Sequence, residues 1–363
     1  MTNQSETEKL VAAYRKANES YSRVLVFRTG IDAGFFAEFR YLVHAVIYCL
    51  ENRLQLKLYS RGANYACGRG WTDWFEPFCR EVDEPYHSRL NVHSLPALGE
   101  LRRTNPHASA GSLAKWKLKT SARRRMCRVR NLMAYGSCAL STSDIPVWNV
   151  RRHISLPQIG VEGNYIEVFA KIASMLWRFN AETREAADAL IKSLGLPEAY
   201  SATQIRGGDK VTEIELYQPS LFVDVLDSHN APRDVLLLTD DYAILETVRR
   251  DYPRYTWHSL CSPEEHGYYN KAFAGSEAGS KRRRMVRFLA QIDAMMQAGF
   301  FTGSISVGPS LFLLEMMYPD AVPTDCRMAD LPHVAQLSIP ARDAVARRFL
   351  QSQPEKDALQ LKR

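Results

Sequence analysis

From residue 201 onward the chain alternates short apolar runs with segments of helical spacing, and this alternation restricts the fold more than any other feature. One run ends at Ile205, a second is Val235-Leu236-Leu237-Leu238-Thr239, and a third is Phe300-Phe301-Thr302. Residues 221–227, 243–250, 284–297 and 310–317 read as helices. The third of these is apolar at 285, 288, 289, 292, 295 and 296, which is helix spacing. Strands alternating with helices predict a parallel, doubly wound α/β sheet. Ligands bind such sheets beyond the carboxyl ends of the strands. Three polar loops stand at those ends: residues 206–210, 240–241 and 304–308.

The first loop reads Gln204-Ile205-Arg206-Gly207-Gly208-Asp209-Lys210. Arg206 offers a planar fork of donors and Lys210 a compact charge, a combination that suits a diphosphate. The glycines let a ligand approach the main chain. Asp240, an acceptor only when ionised, can take N–H bonds from a base such as guanine, or hydroxyl donors from a ribose. With Asp241 it could instead hold Mg²⁺ or Mn²⁺. Ser304, Ser306, Gly308 and the amides at the start of the helix beginning at Ser310 can receive phosphate oxygens. Together these groups describe a nucleoside-diphosphate site whose cations meet the charge growing on a departing β-phosphate without a metal. Glu213 or Glu215, just past the loop, could accept a proton from an incoming hydroxyl. Solvated charges at a strand-to-turn junction are the plain alternative.

The amino half opens with an apolar strand, residues 23–28. It empties into Thr29-Gly30-Ile31-Asp32-Ala33-Gly34 before a helical pattern from Phe35 to Leu50. Strand, glycine turn and helix resemble a dinucleotide-type βα unit without its third glycine, and amides at the helix start would suit an anion. Residues 54–59 alternate apolar and polar as an exposed or edge strand does. Trp71, Trp74 and Phe75 read as core or loop packing in preference to a sugar-stacking platform. Residues 91–146 are irregular and 151–163 a linker or loop. Residues 164–179 form an amphipathic helix, and Asn180 caps the next one, 181–194. The expected division is an amino-terminal α/β domain over 1–196, a Rossmann-like nucleotide-sugar domain over 197–335 and a helical tail over 336–363.

Lys115, Lys117, Lys119, Arg123, Arg124, Arg125, Arg128 and Arg130 lie in one stretch without an acid, and a second basic cluster occupies 281–284. They contribute much of the net charge of +7. A solvated surface is the plain reading, and anionic lipid headgroups or a polyanionic glycan are the alternatives. No nucleic-acid motif accompanies the charge, so no nucleic-acid partner is expected. Seven cysteines at 49, 67, 79, 127, 138, 261 and 326 lack zinc spacing and predict reduced thiols. Residues 1–9 show no signal-peptide pattern. The expected location is cytoplasmic, with a peripheral place at the inner membrane face as the alternative.

These motifs resemble those of the α1,6-fucosyltransferases, the enzymes that core-fucosylate N-glycans and the bacterial nodulation-factor fucosyltransferases. Residues 204–210 stand where that family has H-x-R-R-x-D-K, and Leu238-Thr239-Asp240-Asp241 matches its strand ending in T-D-D. Residues 290–306 match its helix followed by F-x-x-T-F-S-S. Gly30 and Gly34 resemble its glycine turn, and Gly70-Trp71-Thr72-Asp73-Trp74-Phe75-Glu76-Pro77 its G-G-W-E-x-x-F-x-P. The resemblance, over roughly residues 24–318, implies a two-domain GT-B-like fold. It also implies an inverting, metal-independent transfer of fucose from GDP-fucose to an oligosaccharide or lipid-linked glycan. It assigns Arg206 to the β-phosphate, Asp240 to guanine, Ser306 to the phosphate and Lys210 to support of the base region. Gln204 and Gly207 replace the family's His and second Arg, which opens the donor to another nucleotide sugar. The family's base glutamate falls at Ile214, so Glu213 or Glu215 must substitute, or the protein is a non-catalytic glycan- or nucleotide-binding relative.

Overall fold

The computed structural model describes residues 4–30, 34–91, 109–136, 140–141, 153–207, 217–337 and 339–352. In the amino half the order is α1 (Gln4–Ser20), β1 (Arg23–Arg28), α2 (Phe35–Glu51), β2 (Leu54–Tyr59), β3 (Arg80–Glu81), α3 (Tyr86–Arg89), α4 (Ala110–Tyr135) and β4 (Leu140–Ser141). A hairpin of β5 (Ile154–Leu156) and β6 (Val161–Gly163) follows, then α5 (Tyr165–Leu176) and α6 (Ala181–Ser193). The carboxyl half runs β7 (Ser201–Gln204), α7 (Pro219–Ser228), β8 (Asp234–Leu238), α8 (Tyr242–Asp251), β9 (Thr256–His258) and α9 (Asn270–Ala274). It continues with α10 (Ala278–Met295), β10 (Phe300–Gly303), α11 (Gly308–Met316), β11 (Ala321–Pro323), α12 (Leu331–Val334) and α13 (Ile339–Gln351).

Two parallel sheets result, ordered β3-β2-β1-β4 and β11-β10-β7-β8-β9. Each starts at a central strand, builds outward on one side, then crosses back to build on the other. That reversal leaves a crevice at a switch point, where doubly wound sheets take their ligands. The switch points lie between β1 and β4 and between β7 and β10. Two parallel α/β units in one chain are the architecture expected of a GT-B-like enzyme.

Local signals set most helix ends. The Asn180 side chain accepts from Thr183 N at 2.8 Å, and Asn164 and Glu167 form a reciprocal cap on α5. Helix α2 is buried on most of its length because it lies between its own sheet and the helices α5 and α11. One apolar core therefore runs through both halves. Phe36 and Phe312 have ring centroids 4.6 Å apart, and Trp177 stacks on Phe36 at 5.9 Å. Arg40 on α2 pairs with Glu315 on α11, both buried, while Tyr165 donates to the other Glu315 oxygen at 3.1 Å. Trp71, Trp74 and Phe75 belong to this core, as the sequence suggested.

Three expectations are corrected. Strand β2 is interior, flanked by β1 and β3. Its alternation misled because Lys57 is buried beneath the Tyr135 ring, with its ammonium 5.2 Å from the ring centre. Residues 110–135, read as irregular, form one long helix, and 151–163 contains the β5–β6 hairpin instead of a linker. Cys49, Cys67, Cys79, Cys127, Cys261 and Cys326 are free thiols, while Cys138 lies outside the described residues.

Candidate functional site at the second switch point

Parallel register explains why residues far apart in sequence meet. Gln204 pairs with Leu238, so the two chains leave the sheet side by side and each reaches a charged residue two positions later. Arg206 and Asp240 are those residues, with Nη1 3.3 Å from Oδ2 and side chains only 16% and 14% exposed. Asp240 Oδ1 accepts from Gly207 N at 2.7 Å and Oδ2 from Tyr268 N at 2.8 Å. The Tyr268 ring lies under the guanidinium, 5.2 Å from its carbon, a cation–π contact. One carboxylate thus ties together the ends of two strands and the 267–268 loop, and holds Arg206 in place. A side chain on Gly207 would put its Cβ 3.0 Å from that of Asp241, so any larger residue would crowd that aspartate.

The same argument applies one strand over. Gly303 pairs with Pro323, and two residues on, Ile305 N donates to Asp325 Oδ1 at 2.9 Å. The Ser304 hydroxyl donates to Asp325 Oδ2 at 2.5 Å and accepts from Ser306 N at 3.1 Å. Asp325 is fully buried. Burial pushes its carboxyl up to about 6, while bonds from Ser304, the main chain and Tyr217 pull the other way. This anchor fixes the 304–307 turn against the sheet. Ser306, just beyond it, is 2% exposed, and its hydroxyl has no hydrogen-bond partner among the described residues. Helix α11 starts immediately afterwards with no side-chain cap and Pro309 in its first turn. A buried hydroxyl without a partner, beside uncapped amides, is an unfilled demand for an oxygen-bearing ligand.

Other expected residues fall in different places. Gln204 is buried and its amide oxygen accepts from Ser310 Oγ at 2.7 Å, which braces β7 against α11. Asp241 N-caps α8 by accepting from Ala243 N, so the two aspartates serve separate loops. Among the described residues no group of three or more His, Cys, Asp or Glu side chains could hold a metal ion. Asp209, Lys210, Glu213 and Glu215 lie outside the described residues. Gly308 opens α11 against α2, with its added Cβ 3.4 Å from that of Phe36. At the first switch point Gly30 has φ +97°, and Gly62 O stands 2.5 Å from where its Cβ would be, so only glycine fits. Its N–H donates to Glu38, which already supplies negative charge at the start of α2. Gly34 is the N-cap of α2, with open space around it. Sequence reasoning missed Asp325 and Tyr268. The first follows a three-residue strand and the second sits in an irregular loop, so neither carried a pattern.

No family model matches the chain, and no curated protein matches it. Among solved structures the chain is similar to a NodZ α-1,6-fucosyltransferase soaked with GDP-fucose, at 13% identity over 81% of this chain and 92% of that one, with a TM-score of 0.45. It is also similar to FUT1 of Arabidopsis thaliana in complex with GDP, at 10% identity over 90% and 76%, with a TM-score of 0.48. A third is POFUT1 in complex with GDP, at 10% identity over 83% and 97%, with a TM-score of 0.42. These likenesses are distant, and membership of a family does not follow from them.

Proposed function

We propose that the chain is a glycosyltransferase that moves fucose from GDP-fucose to a glycan hydroxyl, with inversion and without a metal. The observation that carries this reading is the crevice between β7 and β10. There a held guanidinium, Arg206, comes off one strand, and off its neighbour comes a buried hydroxyl, Ser306, that has no partner among the described residues. A cation and a hydroxyl at a switch point fit a nucleoside diphosphate. The guanine and fucose parts rest on the motif resemblance.

In the proposed reaction the acceptor oxygen attacks the anomeric carbon from the face opposite the nucleotide. The bond from that carbon to the β-phosphate oxygen breaks, and the electron pair stays on the phosphate. Arg206 and Lys210 meet the charge, and Ser306 donates to a phosphate oxygen. The acceptor proton passes to Glu213 or Glu215. Asp240, already engaged by two amides and Arg206, acts here as a positioning residue in place of the guanine contact that the resemblance assigns to it. The amino-terminal unit, residues 1–196, takes the acceptor, and 197–335 takes the donor.

A thermal-shift panel of GDP, UDP, ADP and TDP tests the donor. A nucleotide present at one hundred times its Kd should stabilise by about 2.7 kcal/mol. GDP should lead the panel, and fucose transfer to an oligosaccharide should follow. A larger shift from another nucleotide would favour the reading in which Gln204 and Gly207 mark a different sugar donor. No shift from any of the four would overturn the nucleotide site itself.

A further inference from the structure

Helix α4 carries the acid-free basic run, and its two faces are inverted relative to an ordinary surface helix. The inward face is Thr120, Cys127 and Asn131, all buried. Asn131 accepts from Arg28 Nη2 at 2.9 Å and from Tyr86 at 3.0 Å, and Tyr135 donates to Glu84 at 2.7 Å. The helix is therefore fastened to the carboxyl end of β1 by polar bonds. Its outward face is apolar. Leu118 and Met133 are each 73% exposed, and Met126, Val129 and Leu132 are exposed as well. Among the described residues only one other large apolar side chain, Tyr269, is exposed.

Leu118, Ala122, Met126, Val129 and Met133 recur at steps of four, four, three and four, so they form one stripe along the helix. Lys119, Arg123 and Arg130 flank it on one side, and Arg125 and Arg128 on the other. The second basic cluster contrasts with it. Lys281 donates to Ala274 O at 3.0 Å, Arg282 pairs with Glu182 at 2.5 Å, and Arg284 lies over Phe273. Those side chains are used within the fold, as is Arg123 of α4, which donates to Asn91 O at 3.3 Å.

We propose that the outward face of α4 docks on an anionic lipid bilayer, with the Leu-Val-Met stripe entering the headgroup boundary and the flanking Lys and Arg side chains on lipid phosphates. An apolar stripe between two cationic rows is the pattern of a helix lying in a membrane interface, and long cationic stems reach outward along it. Nucleic acid would use the cations but leave the stripe without a partner, since single strands are held on aromatic rings. A second copy of this chain would bring an equally basic face against the first. The inference does not rest on the sugar-transfer reading.

Full-length protein co-sedimented with phosphatidylcholine vesicles, with and without phosphatidylserine, tests it. Binding should require phosphatidylserine and weaken with salt. The triple change Lys119→Gln, Arg125→Gln, Arg130→Gln should lower partitioning about 100-fold, taking each basic residue's contribution near the surface. Leu118→Gln, Val129→Gln, Met133→Gln, which keeps the charge, should lower it by about tenfold or more. Circular dichroism checks that both variants fold, and Leu118→Gln alone serves if the triple does not. Four outcomes overturn the proposal: no sedimentation, equal binding to both vesicles, either triple binding as well as wild type, or duplex DNA or RNA bound while vesicles are ignored.

Discussion

The two sheets share one topology yet treat their switch points differently. At the end of β1, Arg28 is 4% exposed and donates to His87 Nδ1 at 3.1 Å and to Asn131 at 2.9 Å, while Glu38 takes the Gly30 amide. Burial and Arg28 push His87 down to about 4, so it is neutral near pH 7 and can accept from the guanidinium. At the end of β7, Arg206 is held by Asp240 and Tyr268 but keeps a share of its surface, and the Ser306 hydroxyl has no partner among the described residues. One crevice is filled by the chain's own charges. The other keeps a polar group waiting. Topology says where a ligand can sit, and on the proposed reading the nucleotide takes the second of these two places.

Four experiments break or sharpen that contrast. Arg206→Ala should lower fucose transfer about 100- to 1000-fold while the protein stays folded by circular dichroism; unchanged transfer would end the assignment of the second crevice. Arg28→Ala, its counterpart, should cost about 2–3 kcal/mol of stability in urea melts, because buried partners lose a charged donor. GDP affinity of the folded fraction should not change, and a large drop would mean that the first crevice also serves the nucleotide.

The third experiment concerns pH. The folded pKa of Asp325, about 6, lies above its ordinary value of 3.8. The stability it contributes is therefore fully present below about pH 4 and is lost as pH rises through about 6. Wild type should fall by about 1–3 kcal/mol relative to Asp325→Asn across that window; parallel urea-melt curves for the two proteins would refute the buried anchor. Last, Ser306→Ala should weaken GDP binding by about tenfold with stability unchanged or slightly raised, since it removes a hydroxyl that the free protein leaves unpaired. A loss of stability instead would show that a protein partner holds that hydroxyl.

The carboxyl half was the more legible half. Strand β8 announces itself as a continuous apolar run, and α10 by its spacing, because a parallel sheet buried on both faces writes hydrophobicity directly into the chain. Arg206, Asp240 and Ser306 were legible because they stand at the ends of such runs. What holds them was not. Asp325 meets Ser304 only through the pairing of β10 with the three-residue β11, a contact set by register and by no local pattern. Helix α4 escaped notice for the opposite reason: its buried face is Thr, Cys and Asn and its exposed face Leu, Val and Met, so reading hydrophobic as inward fails there.

The seam between α2 and α11 limits how the molecule can breathe. Pulling the halves apart would strand Arg40 without Glu315 and wet the Phe36, Phe312 and Trp177 rings, and breaking a buried ion pair alone costs about 3–5 kcal/mol. The two lobes therefore stay locked like the leaves of a hinge that has been riveted shut, and the proposed donor would have to enter without parting them.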